Sequence, residues 1–376
     1  MSIAPSNIEP VNGSDGKPTC IGRGGFGAVF LARLRAPDAG GEDVAVKRVL
    51  DLTDPRAAAQ FRVEYALHLR LSLRLDGVCR IYGMCEGHPI FDTCFVMRRY
   101  KCSLLDEIKS AGGGGIPLLR VLIVLAKVAK TMASLHTAYN LIVADLKPSN
   151  ILIDEHGDGV ISDFGVSRVV TSTMGSFGMS PSQVGGTFNY QSPEQLGAED
   201  DDGNALGVTT QSDVWNFACT ALHAITGEAP WWDTVKGMSR SQAFVFKKVA
   251  MQQRSPLDDA ELPASAPMEL RQLLTSCFNF EAPTRPRFFG AGESDARTPI
   301  RGLAFRLARL RDAAAGEAGA AMEDGAAAQQ STLDDIKDAI EAAGRWGDET
   351  ESSDAFGSSA ASASATVPPT PAGPGP

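Results

Sequence analysis

VADLKPSN, residues Val143 to Asn150, and ISDFG, residues Ile161 to Gly165, stand near the middle of the chain. Together they concentrate two carboxylates, Asp145 and Asp163, a lysine, Lys147, and an amide, Asn150, in a short span. The chain changes character on either side of them. From Cys20 to Tyr100, short β-branched or aromatic runs such as AVFLARL, DVAVKRV and TCFVMRRY alternate with Gly, Pro and Asp, which predicts strands. Arg56 to Leu75 breaks that pattern: rich in Ala, Leu and Arg, without Gly or Pro, it predicts a helix begun after Pro55. The glycine run Gly112 to Gly115 reads as a flexible joint, and beyond it the chain turns helical. Leu118 to Thr137 is apolar around much of its circumference, the pattern of a helix buried in a core. Ser212 to Thr226, Met268 to Phe278 and about Pro299 to Ala313 are further helices. Residues 1–14 are polar and read as a loose, disordered lead-in.

At ~150 residues per domain, the length allows two or three average domains or one large domain with extensions. The formal net charge is −10, which argues against a chain built to coat nucleic acid or an anionic membrane. Its location is more telling. Asp312 to Pro376 holds twelve acids and two bases, so the residues before it are neutral. Beyond Ala313 the composition collapses to Ala, Gly, Ser, Pro and acids, the signature of disorder. Within that tail, Leu333, Ile336 and Ile340 share one face of a transient helix, and Pro368 to Pro371 forms a P-x-x-P stretch, a weak docking candidate. Seven cysteines without a CxxC pair make neither a disulfide framework nor a zinc site, so a reducing compartment is expected. The start, MSIAPSNIEP, has no basic or apolar leader, and Ser2 excludes N-myristoylation. The longest strongly apolar run, Val121 to Ala126, is far too short to span a bilayer. A soluble, cytoplasmic protein is expected, with the nucleus left open.

Upstream, IGRGGFGAVF places Gly22, Gly24 and Gly27 in a G-x-G-x-x-G pattern with Val29 two residues later. Glycine lets the backbone come close to phosphate oxygens, and free N–H groups can solvate them. Alone the pattern is weak, because glycine is abundant in this chain. A dinucleotide-binding fold requires a helix directly after the glycines. Here AVFLARL continues as a strand, so that reading fails. The next signal is VAVK, Val44 to Lys47. A lysine ending such a strand is ordinarily a solvated edge, yet at this distance from Gly27 it can return under the loop and reach its phosphates. A long side chain bearing a point charge suits that task. Its only acidic partner in the predicted helix is Glu64.

Taken in order, the glycine loop, VAVK, a helix glutamate, D-L-K-P-x-N, D-F-G and the dipeptide Pro193-Glu194 resemble the eukaryotic protein kinase family. The resemblance covers residues 15–313 and leaves 314–376 unmatched. It implies an α+β, two-lobed fold: a small strand-rich N-lobe with one main helix and the hinge in 15–100, and a larger, mostly helical C-lobe in 101–313. It also implies MgATP and a protein substrate with a Ser or Thr acceptor. Ile21, Gly22, Gly24 and Gly27 would cover the nucleotide, and Val29, Ala45 and Leu152 would enclose the adenine, with Met97 of CFVMRRYKCSL guarding the rear of the pocket. Lys47, held by Glu64, would bind the α- and β-phosphates, while Asn150 and Asp163 would hold Mg²⁺ through oxygen ligands. Asp145 would accept a hydrogen bond from the substrate hydroxyl as base or orienter, and Lys147 would meet the γ-phosphate, as in serine/threonine kinases. VADLKPSN and GTFNYQSPE are most similar to the tyrosine-kinase-like branch. The resemblance also assigns structural work: Asp213 to the catalytic-loop backbone, Arg285 to Glu194, and Thr187 to the neighbourhood of Asp145.

The family's H-R-D opening is here Val143-Ala144-Asp145. The missing histidine removes a hydrogen bond, and the missing arginine removes part of the basic pocket that grips a phosphorylated activation loop. Activity is therefore expected to depend little on phosphorylation at Thr171, Ser172, Thr173, Ser176, Ser180 or Ser182. The stretch from Glu64 to Tyr82 is a couple of residues longer than is usual in the family, and the acidic Glu199 to Gly203 and FFGAGESDAR after Arg287 read as insertions. The rival function is a pseudokinase, a nucleotide-binding scaffold, which only the altered H-R-D supports.

Overall fold

The computed structural model describes residues 1–23, 27–36, 39–48, 55–169, 188–199, 202–239, 254–289 and 302–317. Its first hundred residues build a six-stranded antiparallel sheet from β1 (Ile8–Pro10), β2 (Cys20–Arg23), β3 (Ala28–Ala36), β4 (Ala39–Arg48), β5 (Ile81–His88) and β6 (Asp92–Arg98). The order is β1-β3-β4-β6-β5, with β2 on β3. Successive side chains of a strand face opposite ways, and both faces are apolar here. Val44, Val46, Cys94 and Val96 fill one face; Ala45, Phe95 and Met97 fill the other, against Phe61 of α1 (Pro55–Ser72). Because Lys47 lies two residues beyond Ala45, it points to the α1 side, and the register sets it opposite Phe95.

The lead-in expected to be disordered is instead part of the sheet. β1 pairs with β3, Ile8 opposite Leu34, and the Ile3 amide donates to Met84 O at 2.8 Å. The physical reason is the apolar outer face of the sheet, whose cluster takes no α-helical residue among those described: Ile8, buried to 4% exposure, and Ile3 pack on its apolar residues. A polar composition concealed those two isoleucines.

The second lobe is built on α3 (Leu118–Tyr139) and α4 (Thr210–Thr226), both lined with buried residues, with α2 (Leu104–Ser110) and the helix Met268–Cys277 beside them. A capping box at Ser103 and Asp106 starts α2, and another at Thr209 and Ser212 starts α4. Each expected helix is present with ends moved by a few residues. The last one occupies 303–317, past the expected boundary at 313, and Leu303, Leu307 and Leu310 bury its inner face. Phe288 of the expected insertion is buried against His136 and Phe217. The glycine run is not simply a joint. At Gly115, φ is +73° and an added Cβ would stand 2.1 Å from Ile225 O, so this residue is glycine to let the loop lie against the end of α4. All seven cysteines are free thiols. Among the described residues, no helix is long and apolar enough to cross a membrane.

The short strands place the two central motifs. β9 (Ile151–Ile153) pairs with β7 (Cys102–Ser103) and forms with β10 (Gly159–Ile161) a hairpin in which Ile151 faces Ile161. VADLKPSN enters this hairpin and ISDFG leaves it, so the motifs meet at its open end. A second pairing, β8 (Leu141–Ile142) with β11 (Arg168–Val169), closes the two flanks outside them.

Candidate active site

Lys47 is the meeting point of three elements. Its Nζ donates to Glu64 Oε1 of α1 at 2.5 Å and to Asp163 Oδ1 at 2.9 Å. The Lys47 and Glu64 side chains are 9% and 3% exposed, whereas Asp163 is 38% exposed and reaches the cleft. Burial opposes the charge on Lys47, but Asp163 and Glu64 more than offset it and hold the ammonium above its ordinary pKa. Burial would raise Asp163, yet Lys47, with the Gly165 amide, keeps its carboxyl below the usual range. Both groups are therefore ionised at neutral pH.

Asp145, Lys147 and Asn150 share the adjoining loop. Lys147 Nζ donates to Asp145 Oδ2 at 2.6 Å, and Asn150 Nδ2 donates to Asp145 O at 2.9 Å and Oδ2 at 3.1 Å. Burial pushes the Asp145 carboxyl up to about 6, with Lys147 opposing it. Since Asn150 spends its NH₂ on Asp145, its carbonyl oxygen is turned away from that carboxylate. The Ser162 amide bonds Asn150 O at 2.8 Å, tying Asn150 to the segment that carries Asp163. Asp163 itself adopts a left-handed backbone, φ 62°, stabilised where its Oδ1 accepts from Gly165 N. An amide oxygen and a carboxylate are hard donors and fit Mg²⁺, which takes one or two protein oxygens and completes its shell with water and phosphate.

The apolar wall expected from the sequence is assembled: Ala45, Met97 and Val160 are buried together, with Val29 and Leu152 partly buried against them. Ala45 and Met97 are cross-strand partners. Gly22 faces Val29 across β2 and β3. Gly27 is glycine for a local reason, since a Cβ there would stand 2.6 Å from Arg48 O, beside Lys47. Ile21 lies on β2, 47% exposed and outside the apolar clusters. Gly24 lies outside the described residues, as do Thr187, the Ser and Thr positions 171–182 and all the tail motifs.

The loop that carries Asp145 is held by its backbone. Asp213, fully buried at the start of α4, accepts from Val143 N at 2.9 Å and Ala144 N at 2.7 Å, and His136 Nε2 lies 2.7 Å from its Oδ2. Glu194 and Arg285 form a two-pronged pair at 2.7 and 3.0 Å, both almost fully buried. Several contributors were not singled out in the sequence. His68 sets its ring 4.9 Å from Phe164, and burial followed by the nearby Lys47 charge lowers its pKa to about 3, so it packs as a neutral ring. Gln60 donates to Gly165 O at 3.0 Å. Gln60, Glu64 and His68 are spaced by four along α1, a signal visible once the side facing the cleft is known.

A two-lobed α+β fold with a lysine locked between a helix carboxylate and a cleft carboxylate, beside an Asp-Lys-Asn loop, defines a phosphotransferase class of site. Residues 17–293 match the protein kinase domain family. The E3 ubiquitin-protein ligase KEG of Arabidopsis thaliana is 29% identical over 70% of this chain and 17% of its own length. The serine/threonine-protein kinase AfsK of Streptomyces coelicolor is 31% identical over 77% of this chain and 34% of its own. The receptor-interacting serine/threonine-protein kinase 3 of Rattus norvegicus is 30% identical over 71% and 52%. This chain belongs to the protein kinase domain family. It spans from about a sixth to about half the length of these relatives.

Proposed function

We propose that the protein is an active serine/threonine kinase that transfers the γ-phosphate of MgATP to a protein hydroxyl. The observation that carries this reading is the intact Glu64–Lys47–Asp163 bridge next to the Asp145–Lys147–Asn150 loop. Phosphoryl transfer asks little covalent chemistry of the protein; it needs positioning and charge compensation. Lys47 would bind the α- and β-phosphates, its direction fixed by Glu64. Asn150 and Asp163 would hold Mg²⁺, which when bound neutralises charge on the β- and γ-phosphates. Asp145 would accept a hydrogen bond from the substrate hydroxyl, so that the oxygen attacks phosphorus as the bond to the β-phosphate oxygen breaks, the proton passing to Asp145. Lys147 would face the γ-phosphate, and its presence two residues after Asp145 favours Ser and Thr acceptors. Val29, Ala45, Met97 and Leu152 would enclose the adenine. The work of a signalling kinase in a reducing, cytoplasmic setting is consistent with the free thiols.

The scaffold reading rests on the altered H-R-D. Against it stands the loop's backbone anchorage on Asp213, which needs neither of the replaced side chains. Transfer from labelled ATP by the purified protein tests the two, with Asp145→Asn as control. Loss of at least ~100-fold in the variant supports the kinase; equal signal from both proteins sinks it. Activity that survives phosphatase treatment is the further expectation, because Ala144 supplies no cation for a phosphate to engage.

A further inference from the structure

Ala144 occupies an unusual backbone position. Its φ is +64°, a left-handed conformation that an L-residue with a Cβ disfavours by ~1–2 kcal/mol. It is buried at 8% exposure and immediately precedes Asp145, so its conformation aims the catalytic carboxylate. All four backbone polar groups of Val143 and Ala144 are taken by side chains from three other segments. Asp213 of α4 takes both amides. Ser167, two residues past the D-F-G motif, donates its hydroxyl to Val143 O at 3.2 Å. The fourth group, Ala144 O, accepts from Gln195 Nε2 at 2.7 Å.

Gln195 is 1% exposed, and both ends of its carboxamide are hydrogen-bonded. Its Oε1 accepts from Ser192 N at 3.0 Å, Ser192 Oγ at 3.2 Å and Asn216 Nδ2 at 2.8 Å. The Asn216 amide also donates to Tyr190 O at 2.6 Å. Gln195 follows Glu194, whose pairing with Arg285 anchors the same turn. The segment 188–196 is thereby joined through one neutral amide to the residue before Asp145. Burial first, then Cys219 and last the Asp145 charge raise the pKa of the Tyr190 phenol in this segment.

We propose that Gln195 is a positioning residue for Asp145: it pins the strained Ala144 carbonyl and couples the segment 188–196 to the catalytic loop without any charged group. This deepens the kinase reading and rests on it for its kinetic consequence. A carboxamide gains and loses no proton and needs no phosphate, so the coupling is permanent. That is the physical counterpart of a catalytic loop whose arginine has been replaced by alanine.

The test uses the full chain with Gln195→Met, which keeps volume and removes both hydrogen-bonding ends, and Gln195→Glu, which turns a carboxylate toward the Ala144 carbonyl. In folded protein, both should lower kcat for a peptide substrate at least tenfold, while fluorescent-nucleotide affinity stays within twofold, because no bond links Gln195 to Lys47, Glu64 or Asp163. Glycine adopts φ > 0 without penalty, so adding Ala144→Gly to Gln195→Met should recover at least threefold of the lost kcat. A merely structural role would lower Tm and leave kcat per folded molecule unchanged. Hydrogen exchange gives a readout independent of catalysis: the amides of Val143 and Ala144 should exchange at least tenfold faster in both single variants. Wild-type protein that transfers no phosphate would refute the kinase reading alone, and exchange would still decide the role of Gln195. Unchanged exchange, kcat within twofold of wild type, or a loss that Ala144→Gly fails to relieve would each overturn the proposal.

Discussion

Removing either member of the Glu194–Arg285 pair should destabilise the protein far more than removing both does per residue. Arg285 is packed beneath Trp215, its guanidinium 5.1 Å from the ring, with its side chain 0% exposed. It donates to both Glu194 oxygens and to three backbone carbonyls, Asn279 O at 2.7 Å, Gln211 O at 2.9 Å and Phe280 O at 3.0 Å. Glu194 also accepts from Ser212 Oγ at 2.7 Å. In Glu194→Met, the guanidinium keeps its carbonyls but has no counter-charge in a dry site, a change that costs ~3–5 kcal/mol. Arg285→Met leaves a buried carboxylate and also orphans three carbonyls, at a similar or greater cost. The double variant leaves no buried charge, only the orphaned carbonyls, so it should cost less than Arg285→Met alone, rather than the ~6–10 kcal/mol of an additive pair. Urea denaturation of the four proteins gives the free energies from midpoint and slope. At ~2–4 °C per kcal/mol, each single variant should also melt ~6–20 °C lower. Single-variant losses below ~1 kcal/mol, or a double variant equal to the sum, would show that the cost does not come from a stranded charge.

Lys47→Met should reduce phosphoryl transfer by ~100–1,000-fold with the protein still folded, since it removes the cation proposed to bind the α- and β-phosphates; steady-state transfer and a thermal melt check this. Transfer should weaken as pH falls through about 6, because burial raises the Asp145 carboxyl to that value and only its ionised form accepts a proton. Replacing Lys147 with Gln removes the cation that lowers this pKa, so the acidic limb of the kcat/KM profile should move upward; a shift downward would contradict the assignment. Gly115→Ala should cost at least ~1–3 kcal/mol in a denaturation experiment, as both its positive φ and its contact with Ile225 O exclude a Cβ. Deleting residues 1–14 should destabilise the first lobe by at least ~2 kcal/mol, the burial of Ile8 alone being worth ~1.5–3 kcal/mol, and differential scanning calorimetry reads the change.

The sequence by itself determined the class of fold and singled out most of the residues that the structure brings together in the cleft. Gly22, Gly27, Lys47, Glu64, Asp145, Asn150 and Asp163 are chemically conspicuous residues in a fixed order, and phosphate, metal and hydroxyl recognition depend on residue type and spacing, which are local. The helices were legible for the same reason: α3 and α4 carry their burial in their own periodicity. Tertiary structure decided what depends on partners distant along the chain. Ile3 and Ile8 became core only because the outer face of the sheet required a cover, and a glycine run became a contact surface only where α4 ended against Gly115. Gln195, Ser167 and His136 are unremarkable polar residues until folding brings them to Val143, Ala144 and Asp213, more than twenty residues away or on another element. A backbone carbonyl carries no trace in the sequence of which side chain will satisfy it, so how Asp145 is aimed could be read only from the folded chain.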